Sequence, residues 1–169
     1  MLKNKILPTV ALTSICIVVA LLLALANILT APRIEQAQRE KVAKALREVY
    51  PSGESFEAVA TKSKGLPESI AEVYSVNDGG FVFKAEVKGY KDGLVIMVGI
   101  SPEGKITDTK YIESKETNGA EKTLNGAYNG KSAEDIETVI VTGSTKTSNA
   151  YRQAVSDSLS AYGTLKGDS

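Results

Sequence analysis

An uncharged apolar run of twenty residues, from Val10 to Leu29, restricts the fold of this chain more than any other stretch. Three polar side chains interrupt it, and no charged residue does. A helix of about 20 apolar residues is long enough to cross the roughly 30 Å hydrocarbon core of a bilayer. We therefore predict a transmembrane helix over about residues 8–30, within a membrane anchor that comprises residues 1–31.

A cleaved signal peptide is the alternative interpretation of the same run. Ala24-Leu25-Ala26 resembles the small-residue site at which such peptides are cut. The run is, however, longer than the apolar region of an ordinary signal peptide, and a helical pattern follows it directly. These two features favour an anchor that stays attached to the chain.

The composition excludes several kinds of chemistry. The 169 residues include 20 basic and 20 acidic side chains, so no net charge favours nucleic acid. The chain has no histidine and one cysteine, Cys16, which lies inside the apolar run. Histidine-dependent triads, the usual zinc sites, internal disulfides and cysteine-ligated clusters are therefore excluded. If this protein carries electrons, its redox group must be an organic cofactor.

The segment after the apolar run has a helical pattern. Its apolar side chains recur at three- and four-residue spacing, namely Ile34, Ala37, Val42, Ala45, Leu46 and Val49. Pro32 suits the first turn of a helix, and Pro51-Ser52-Gly53 would end one. We predict a helix over residues 33–50, within a stalk over residues 32–51 that emerges from the membrane and packs one stripe on the domain.

The middle of the chain predicts an antiparallel sheet. Residues 52–68 look like a polar loop, and about four strands follow, over residues 70–76, 81–87, 94–100 and 105–112. Two turn sequences, Asn77-Asp78-Gly79-Gly80 and Ser101-Pro102-Glu103-Gly104, separate strands in this region. A last helix is expected over residues 148–165. The fold class is therefore α+β, with helices packed on an antiparallel sheet.

A hydroxyl-rich stretch follows the β-branched run over residues 139–141 and precedes the last helix. Its residues are Thr142, Gly143, Ser144, Thr145, Lys146, Thr147 and Ser148. A helix N-terminus offers free N–H groups and partial positive charge, which suit a phosphate. The stretch is not a Walker loop. It is also compatible with an ordinary strand–turn–helix junction in which Thr147, Ser148 or Asn149 caps the helix.

This stretch resembles the S/T-G-A-T-x-T-S motif of the FMN-binding domain family, which includes the G subunit of Rnf electron-transport complexes. In that family the last Thr of the first four residues carries FMN through a phosphoester bond, and the matching residue here is Thr145. The resemblance implies covalent FMN at Thr145. It further implies that the other six residues of the stretch bind the phosphate and the ribityl chain.

Weaker resemblances lie upstream. Residues 88–90 are similar to the family's K-G-Y element, and residues 128–131 are similar to its F-x-G-K element. Residues 116–122 resemble the E-T-P-G-L-G-x-K loop that lies beside the flavin in the family. This resemblance implies that Glu116 and Thr117 contact the flavin ring or the ribityl hydroxyls; a solvated turn is the alternative.

Two positions depart from the family pattern. Ser144 replaces the usual Ala of the motif, and Val139 replaces an aspartate that usually lies three residues before the motif. A modifying enzyme that recognises the aspartate would recognise this loop less well. These departures bear on the covalent bond more than on the fold.

The resemblance implies an electron-transfer subunit of a membrane-bound ion-translocating oxidoreductase of the ferredoxin:NAD type. The implied partners are other membrane subunits and a flavin transferase, and residues 52–169 would form the FMN-binding domain. No side chain looks like a general acid or base, so we expect electron relay and no substrate turnover by this chain alone. A flavin module of another membrane reductase and a membrane-anchored scaffold without cofactor are the alternatives.

Orientation in the membrane is a separate expectation. Two lysines, at positions 3 and 5, precede the apolar run, and five basic residues follow it within residues 33–47. The charge count alone places the domain in the cytoplasm. The resemblance implies the extracytoplasmic side of the cell membrane, and we follow it because long domains cross membranes largely regardless of their charge.

Overall fold

In a computed structural model, the structure describes residues 3–60, 65–116, 119–139 and 144–167. The chain divides into two compact units, residues 1–41 and residues 42–169. The helices are α1 Lys3–Val49, α2 Ala120–Leu124 and α3 Thr145–Gly167; the strands are β1 Phe56–Val59, β2 Ile70–Val76, β3 Phe81–Val87, β4 Leu94–Ile100 and β5 Ile106–Glu113.

Helix α1 has 47 residues and joins the predicted anchor and stalk helices without a break. The expectation that Pro32 starts a new helix is wrong, because Pro32 lies inside α1. Within the described residues, one helix is long and apolar enough to cross a membrane, with a mean hydropathy of 2.6 over its most apolar stretch. No part of that stretch is buried, and Ile34 beyond it is exposed. Of the six residues in the predicted apolar stripe, the four from Val42 onward belong to the second unit.

The second unit contains a five-stranded antiparallel sheet with the strand order β1-β2-β3-β4-β5. Strands β2 to β5 lie where the alternation and turn sequences predict them. The predicted loop over residues 52–68 is wrong in one part, because residues 56–59 form β1. Among the described residues this strand pairs only with β2, and it is half exposed. An edge strand of this kind does not need the apolar alternation by which buried strands are predicted.

Both faces of the sheet are covered. On one face, Leu46 and Val49 from the end of α1 pack with Val76, Val82 and Met97 in one buried cluster. On the other face, α3 contributes its entire predicted apolar stripe to the larger cluster: Ala150, Tyr151, Ala154, Val155, Leu159 and Tyr162. This arrangement explains why all seven residues of β4 are buried. The predicted α+β class is confirmed.

Two local expectations near the hydroxyl-rich stretch need correction. Helix α3 begins at Thr145, three residues before the predicted start, so Thr147, Ser148 and Asn149 lie inside the helix and cannot cap it. The segment over residues 116–122, expected as a loop, runs into the short helix α2, and a 3-10 turn lies over Ile136–Thr138, where no element was predicted. Val139, the first residue of the run predicted as a strand over residues 139–141, has an extended backbone outside the five-stranded sheet, and residues 140 and 141 lie outside the described residues.

Candidate functional site

The candidate site is built around the first turn of α3. The Ser148 N–H donates to the Ser144 carbonyl at 2.9 Å, which makes Ser144 the residue that precedes the first helical turn. Thr145 and Lys146 are exposed, whereas Thr147 is fully buried. The N–H groups at the start of a helix have no partner within it and carry partial positive charge. An anion is therefore favoured at this end of α3.

The four hydroxyl side chains of this turn have different environments. The Ser144 and Thr147 oxygens lie 3.1 Å apart, and Thr147 donates to a Glu116 carboxylate oxygen at 2.7 Å. Ser144 therefore donates to Thr147. The Ser148 hydroxyl is buried, with 7% of the residue exposed, and has no hydrogen-bond partner among the described residues. Within the same residues the Thr145 hydroxyl is exposed and makes no hydrogen bond.

Glu116 connects this turn to the hairpin between β3 and β4. Its second carboxylate oxygen accepts a hydrogen bond from the Lys91 N–H at 3.1 Å. The same oxygen lies 2.5 Å from the position that a Cβ would take at Gly89. The side chain is half-buried, and its own N–H donates to the Ser114 hydroxyl. The structure thus places Glu116 against the motif and the K-G-Y turn, two segments that are far apart in sequence.

Lys146 contacts the same hairpin from the helix side. Its ammonium lies 5.7 Å from the centre of the Tyr90 ring, within the range of a cation–π contact. Tyr90 is 60% exposed, which is unusual for a side chain of its size in this domain. Because the contact is exposed, its stabilisation is small, about 0.5–1 kcal/mol.

A cleft of about 650 Å³ lies between the start of α3 and the end of β3. Its lining residues are Glu68, Ser69, Glu86, Val87, Lys88, Gly89, Lys146, Asn149, Ala150 and Gln153. The four helical residues are spaced by three or four, so they form one stripe along α3 that begins beside Thr145. The volume lies within the usual range of small-molecule sites, about 300–1,000 Å³.

Two stacked tyrosine rings lie in the core beneath the first turns of α3. The rings of Tyr128 and Tyr151 are 5.9 Å apart and nearly parallel, with an interplanar angle of 6°. Both residues are almost completely buried, and Tyr151 donates to the Asn125 side chain at 3.4 Å. Burial raises the pKa of Tyr151 well above its usual value, so the ring stays neutral and the support does not depend on pH near neutrality.

The structure brings together six of the nine predicted site residues: Ser144, Thr145, Lys146, Thr147, Ser148 and Glu116. The other three, Thr117, Thr142 and Gly143, lie outside the described residues. Sequence reasoning missed Lys91, Asn149 and Gln153. The spacing of Asn149 and Gln153 from Lys146 could have indicated a shared helix face, but nothing in the sequence pointed to the Lys91 N–H.

The residues of this site fit a phosphate ester of a small organic cofactor. Within the described part of the chain, Thr145 has an exposed hydroxyl without a hydrogen bond at the positive end of a 23-residue helix, and one turn deeper the Ser148 hydroxyl has no partner. Lys146 adds a formal positive charge near the same end. The adjacent cleft is large enough to hold a ring system beside the helix.

Comparisons with known proteins match both ends of the chain. Residues 89–160 match the FMN-binding domain, and residues 1–49 match the RnfG N-terminal region. The chain is 36% identical over 159 residues to the G component of the Na(+)-translocating ferredoxin:NAD(+) oxidoreductase complex of Acetobacterium woodii, a match that covers 83% of this chain and 76% of the relative. It is 24% identical over 175 residues to the G component of the proton-translocating ferredoxin:NAD(+) oxidoreductase complex of Clostridium ljungdahlii, with 92% and 90% covered.

Proposed function

The chain belongs to the family of Rnf-complex G subunits with an FMN-binding domain, and we propose that it is the FMN-carrying electron-transfer subunit of a membrane-bound, ion-translocating ferredoxin:NAD oxidoreductase. When bound, FMN supplies the redox chemistry, and the protein supplies position and charge. In this proposal the FMN is attached to Thr145 by a phosphoester bond.

The free hydroxyl of Thr145 carries this proposal. Ser144 and Thr147 are occupied in a hydrogen-bonded chain that ends on Glu116, and the Ser148 hydroxyl is buried. Thr145 alone among these four combines exposure with an unengaged oxygen in the described structure. During attachment the Thr145 oxygen bonds to the phosphorus of an activated flavin nucleotide, a mononucleotide leaves that phosphorus, and the hydroxyl proton goes to a base of the transferase.

The neighbouring residues have distinct roles in this proposal. The N–H groups of the first turn and the Ser148 hydroxyl bind the phosphoryl oxygens, and Lys146 offsets their negative charge. Thr142, Gly143 and Thr117 complete the site from segments outside the described residues. Val139, in place of the family's usual aspartate, packs against the core and accepts a hydrogen bond from Arg152 at 3.3 Å. The Val139 carbonyl is thus held by Arg152, although the residue itself has no acidic side chain.

We also propose the arrangement of the protein in the membrane. Residues 1–31 form the anchor, residues 32–51 form a stalk whose last two helical turns pack on the sheet, and residues 52–169 form the flavin domain, which lies outside the cytoplasm. The partners are the other membrane subunits of the complex and a flavin transferase. A covalent bond suits this location, because it retains the cofactor where free FMN is scarce.

The first experiment measures the intact mass of the membrane-extracted protein after denaturation. The protein is produced together with a flavin transferase that is known to modify a related protein. We expect the wild type to gain the mass of one FMN less one water, and Thr145→Ala to lose that gain. Ser144→Ala removes the neighbouring hydroxyl; its end-point mass should still include the flavin, although attachment is slower because Ser144 helps to hold the turn.

The outcomes separate the proposal from its alternatives. A mass gain that persists in Thr145→Ala and disappears in Ser144→Ala would move the attachment to Ser144. An unmodified but yellow protein would indicate FMN held without a covalent bond. A colourless, unmodified wild type would leave a membrane-anchored scaffold as the better description.

A further inference from the structure

Glu116 is the one acidic side chain in the described structure that contacts the hydroxyl-rich turn directly. Its two carboxylate oxygens accept from two separate segments, the Lys91 N–H of the β3–β4 hairpin and the Thr147 hydroxyl of α3. Thr147 is fully buried, so its hydroxyl cannot exchange this partner for water. A buried hydroxyl that loses its partner costs about 1–3 kcal/mol, which gives this contact a definite effect on the turn.

The contact continues towards the start of α3. Ser144 donates to the Thr147 oxygen, and the Ser144 carbonyl accepts the first helical hydrogen bond, from the Ser148 N–H. Glu116, Thr147 and Ser144 therefore fix both ends of the turn that contains Thr145. Without this chain the turn would be free to fray, as the ends of helices commonly do.

The Glu116 carboxylate lies directly against the backbone of Gly89. A Cβ at this position would lie 2.5 Å from one Glu116 oxygen and 3.2 Å from its carboxyl carbon. The nearest other atom, on Leu94, is at an ordinary 3.6 Å. The absence of a side chain at Gly89 therefore leaves room for the carboxylate to reach Lys91.

We propose that Glu116 is a positioning residue that acts through Thr147: it locks the first turn of α3 to the β3–β4 hairpin and so presents the Thr145 hydroxyl for attachment of FMN. This inference rests on the proposed function for its consequence, but its structural part stands without flavin. Glu116 acts by hydrogen-bond geometry and neither takes nor gives a proton during attachment.

The experiment compares Glu116→Ala with Glu116→Gln in the full-length, detergent-extracted protein made without flavin. A glutamine can still accept from the Lys91 N–H while its NH₂ group donates to Thr147, whose own hydroxyl then turns towards Ser144. An alanine loses both contacts. Two quantities are measured, the hydrogen exchange of the Ser148 amide and the initial rate at which a flavin transferase adds FMN.

We expect Glu116→Ala to speed exchange of the Ser148 amide and to slow FMN attachment, each by about thirtyfold. Glu116→Gln should change each by about fivefold or less. If Gln is as damaging as Ala, the negative charge matters and the positioning role is overturned. Unchanged exchange and attachment in Glu116→Ala would overturn it as well.

Gly89→Ala tests the same inference without removing the carboxylate. The added methyl meets the flexible end of Glu116, so the domain should fold while the carboxylate moves away from Lys91. We expect faster Ser148 exchange and slower attachment, in the direction of Glu116→Ala; wild-type values in both would contradict the inference. Tyr162→Phe is the control, since it removes two hydrogen bonds at the opposite end of α3, one to the Pro102 carbonyl and one from the Lys166 ammonium, and should leave both values unchanged.

The exchange rate of the Ser148 amide and the rate of FMN attachment test the positioning role and the proposed function separately. If the wild type accepts no FMN, the proposed function fails, while amide exchange still tests Glu116. If the wild type accepts FMN and Glu116→Ala accepts it equally fast with unchanged exchange, the proposed function stands and the positioning role falls.

Discussion

At the scale of single residues, the buried Ser148 hydroxyl has the most informative environment. It has no hydrogen-bond partner among the described residues, and the residue is 7% exposed. An unsatisfied buried hydroxyl costs free energy, about 1–3 kcal/mol. A phosphoryl oxygen of the proposed cofactor would supply a partner for this hydroxyl and remove that cost.

Ser148→Ala should therefore have opposite effects in two states of the protein. In the flavin-free protein we expect unchanged or slightly higher stability, by up to about 1 kcal/mol, because the alanine removes an unsatisfied group. In the flavin-loaded protein we expect lower stability than in the loaded wild type. Thermal unfolding of both forms measures the two differences, and equal effects in both forms would show that Ser148 does not contact the cofactor.

The contacts among the candidate site residues could not be predicted from the sequence. Binding of the cofactor by Ser144 and Thr147 stays a prediction, and the structure adds that these residues pair with each other and with Glu116. Glu116 comes from a loop about thirty residues earlier in the chain. Motif spacing cannot reveal such a contact, because the sheet and α3 must first pack before the two segments meet.

At the scale of secondary structure, turn chemistry made the sheet predictable. Asn77-Asp78-Gly79-Gly80 forms a turn in which Gly79 has a φ of 90°, a conformation that glycine adopts readily. The adjacent strands β2 and β3 accordingly begin and end where the sequence predicts. Strand β1 was not predicted because it lies at an edge of the sheet and is half exposed. Helix α2 was not predicted because it has only five residues and follows Gly119, whose backbone is in the left-handed conformation.

The pairing of β2 with β3 predicts a pH dependence. Glu72 lies opposite Lys84, which donates to it at 2.7 Å, and Tyr74 donates to its other oxygen. Burial alone would raise the pKa of Glu72, but the hydrogen bonds from Lys84 and Tyr74 together lower it below its usual value of 4.5. Such a group stabilises the fold fully above its unfolded-state pKa, and this stabilisation is lost as the pH falls through the lower folded-state pKa.

We expect Glu72→Gln to lower the free energy of unfolding at neutral pH by at most about 1 kcal/mol, since 44% of the Glu72 side chain is exposed. The difference from wild type should shrink below pH 4.5 and vanish once Glu72 is protonated in the folded state. Urea unfolding at several pH values measures it. Glu57→Gln, at an exposed position of β1, is the control, and a difference that grew towards acid pH would contradict the expectation.

The contact between β4 and the end of α1 gives a second prediction at this scale. The Thr107 hydroxyl donates to the Val49 carbonyl at 2.6 Å, and a Cβ at Gly99 would lie 2.5 Å from that same oxygen. Because a backbone atom cannot move aside as a side chain can, we expect Gly99→Ala to destabilise the domain by about 1–3 kcal/mol.

Gly163→Ala is the matched control for this change. It lies in α3, has nothing near its missing Cβ, and should stabilise the helix by about 0.5–1 kcal/mol. Thermal unfolding of the two variants should therefore shift in opposite directions. A neutral Gly99→Ala would mean that the end of α1 is free to move away from β4.

At the scale of the whole molecule, the structure divides α1 at a point that the sequence pattern does not indicate. The apolar pattern predicted one helix stripe from Ile34 to Val49, but the two compact units divide after Lys41. The last two turns of α1 thus belong to the unit that contains the sheet. Periodicity alone could not show this division, because the same spacing continues on both sides of it.

The buried surface of these two turns makes them necessary for the sheet. Leu46 and Val49 are 6% and 0% exposed, and burial of each contributes roughly 1.5–3 kcal/mol. The Tyr50 ring beyond them is also buried, and its hydroxyl donates to Asp78 at 2.8 Å in the β2–β3 turn. Glu48 forms an ion pair with Lys110 on β5. Removal of this segment would expose Val76, Val82 and Met97 to water.

Two truncated proteins test this division. We expect residues 42–169 to be soluble, absent from the membrane fraction and cooperatively unfolding, because this unit keeps both apolar clusters. Residues 51–169 should aggregate or unfold at a much lower temperature, because they lack the helix that covers one face. Fractionation of cell extracts and thermal unfolding measure both properties. Equal stability of the two proteins would show that the folded domain begins after α1, near residue 52. Membrane retention of residues 42–169 would show that the anchor is not confined to residues 1–41.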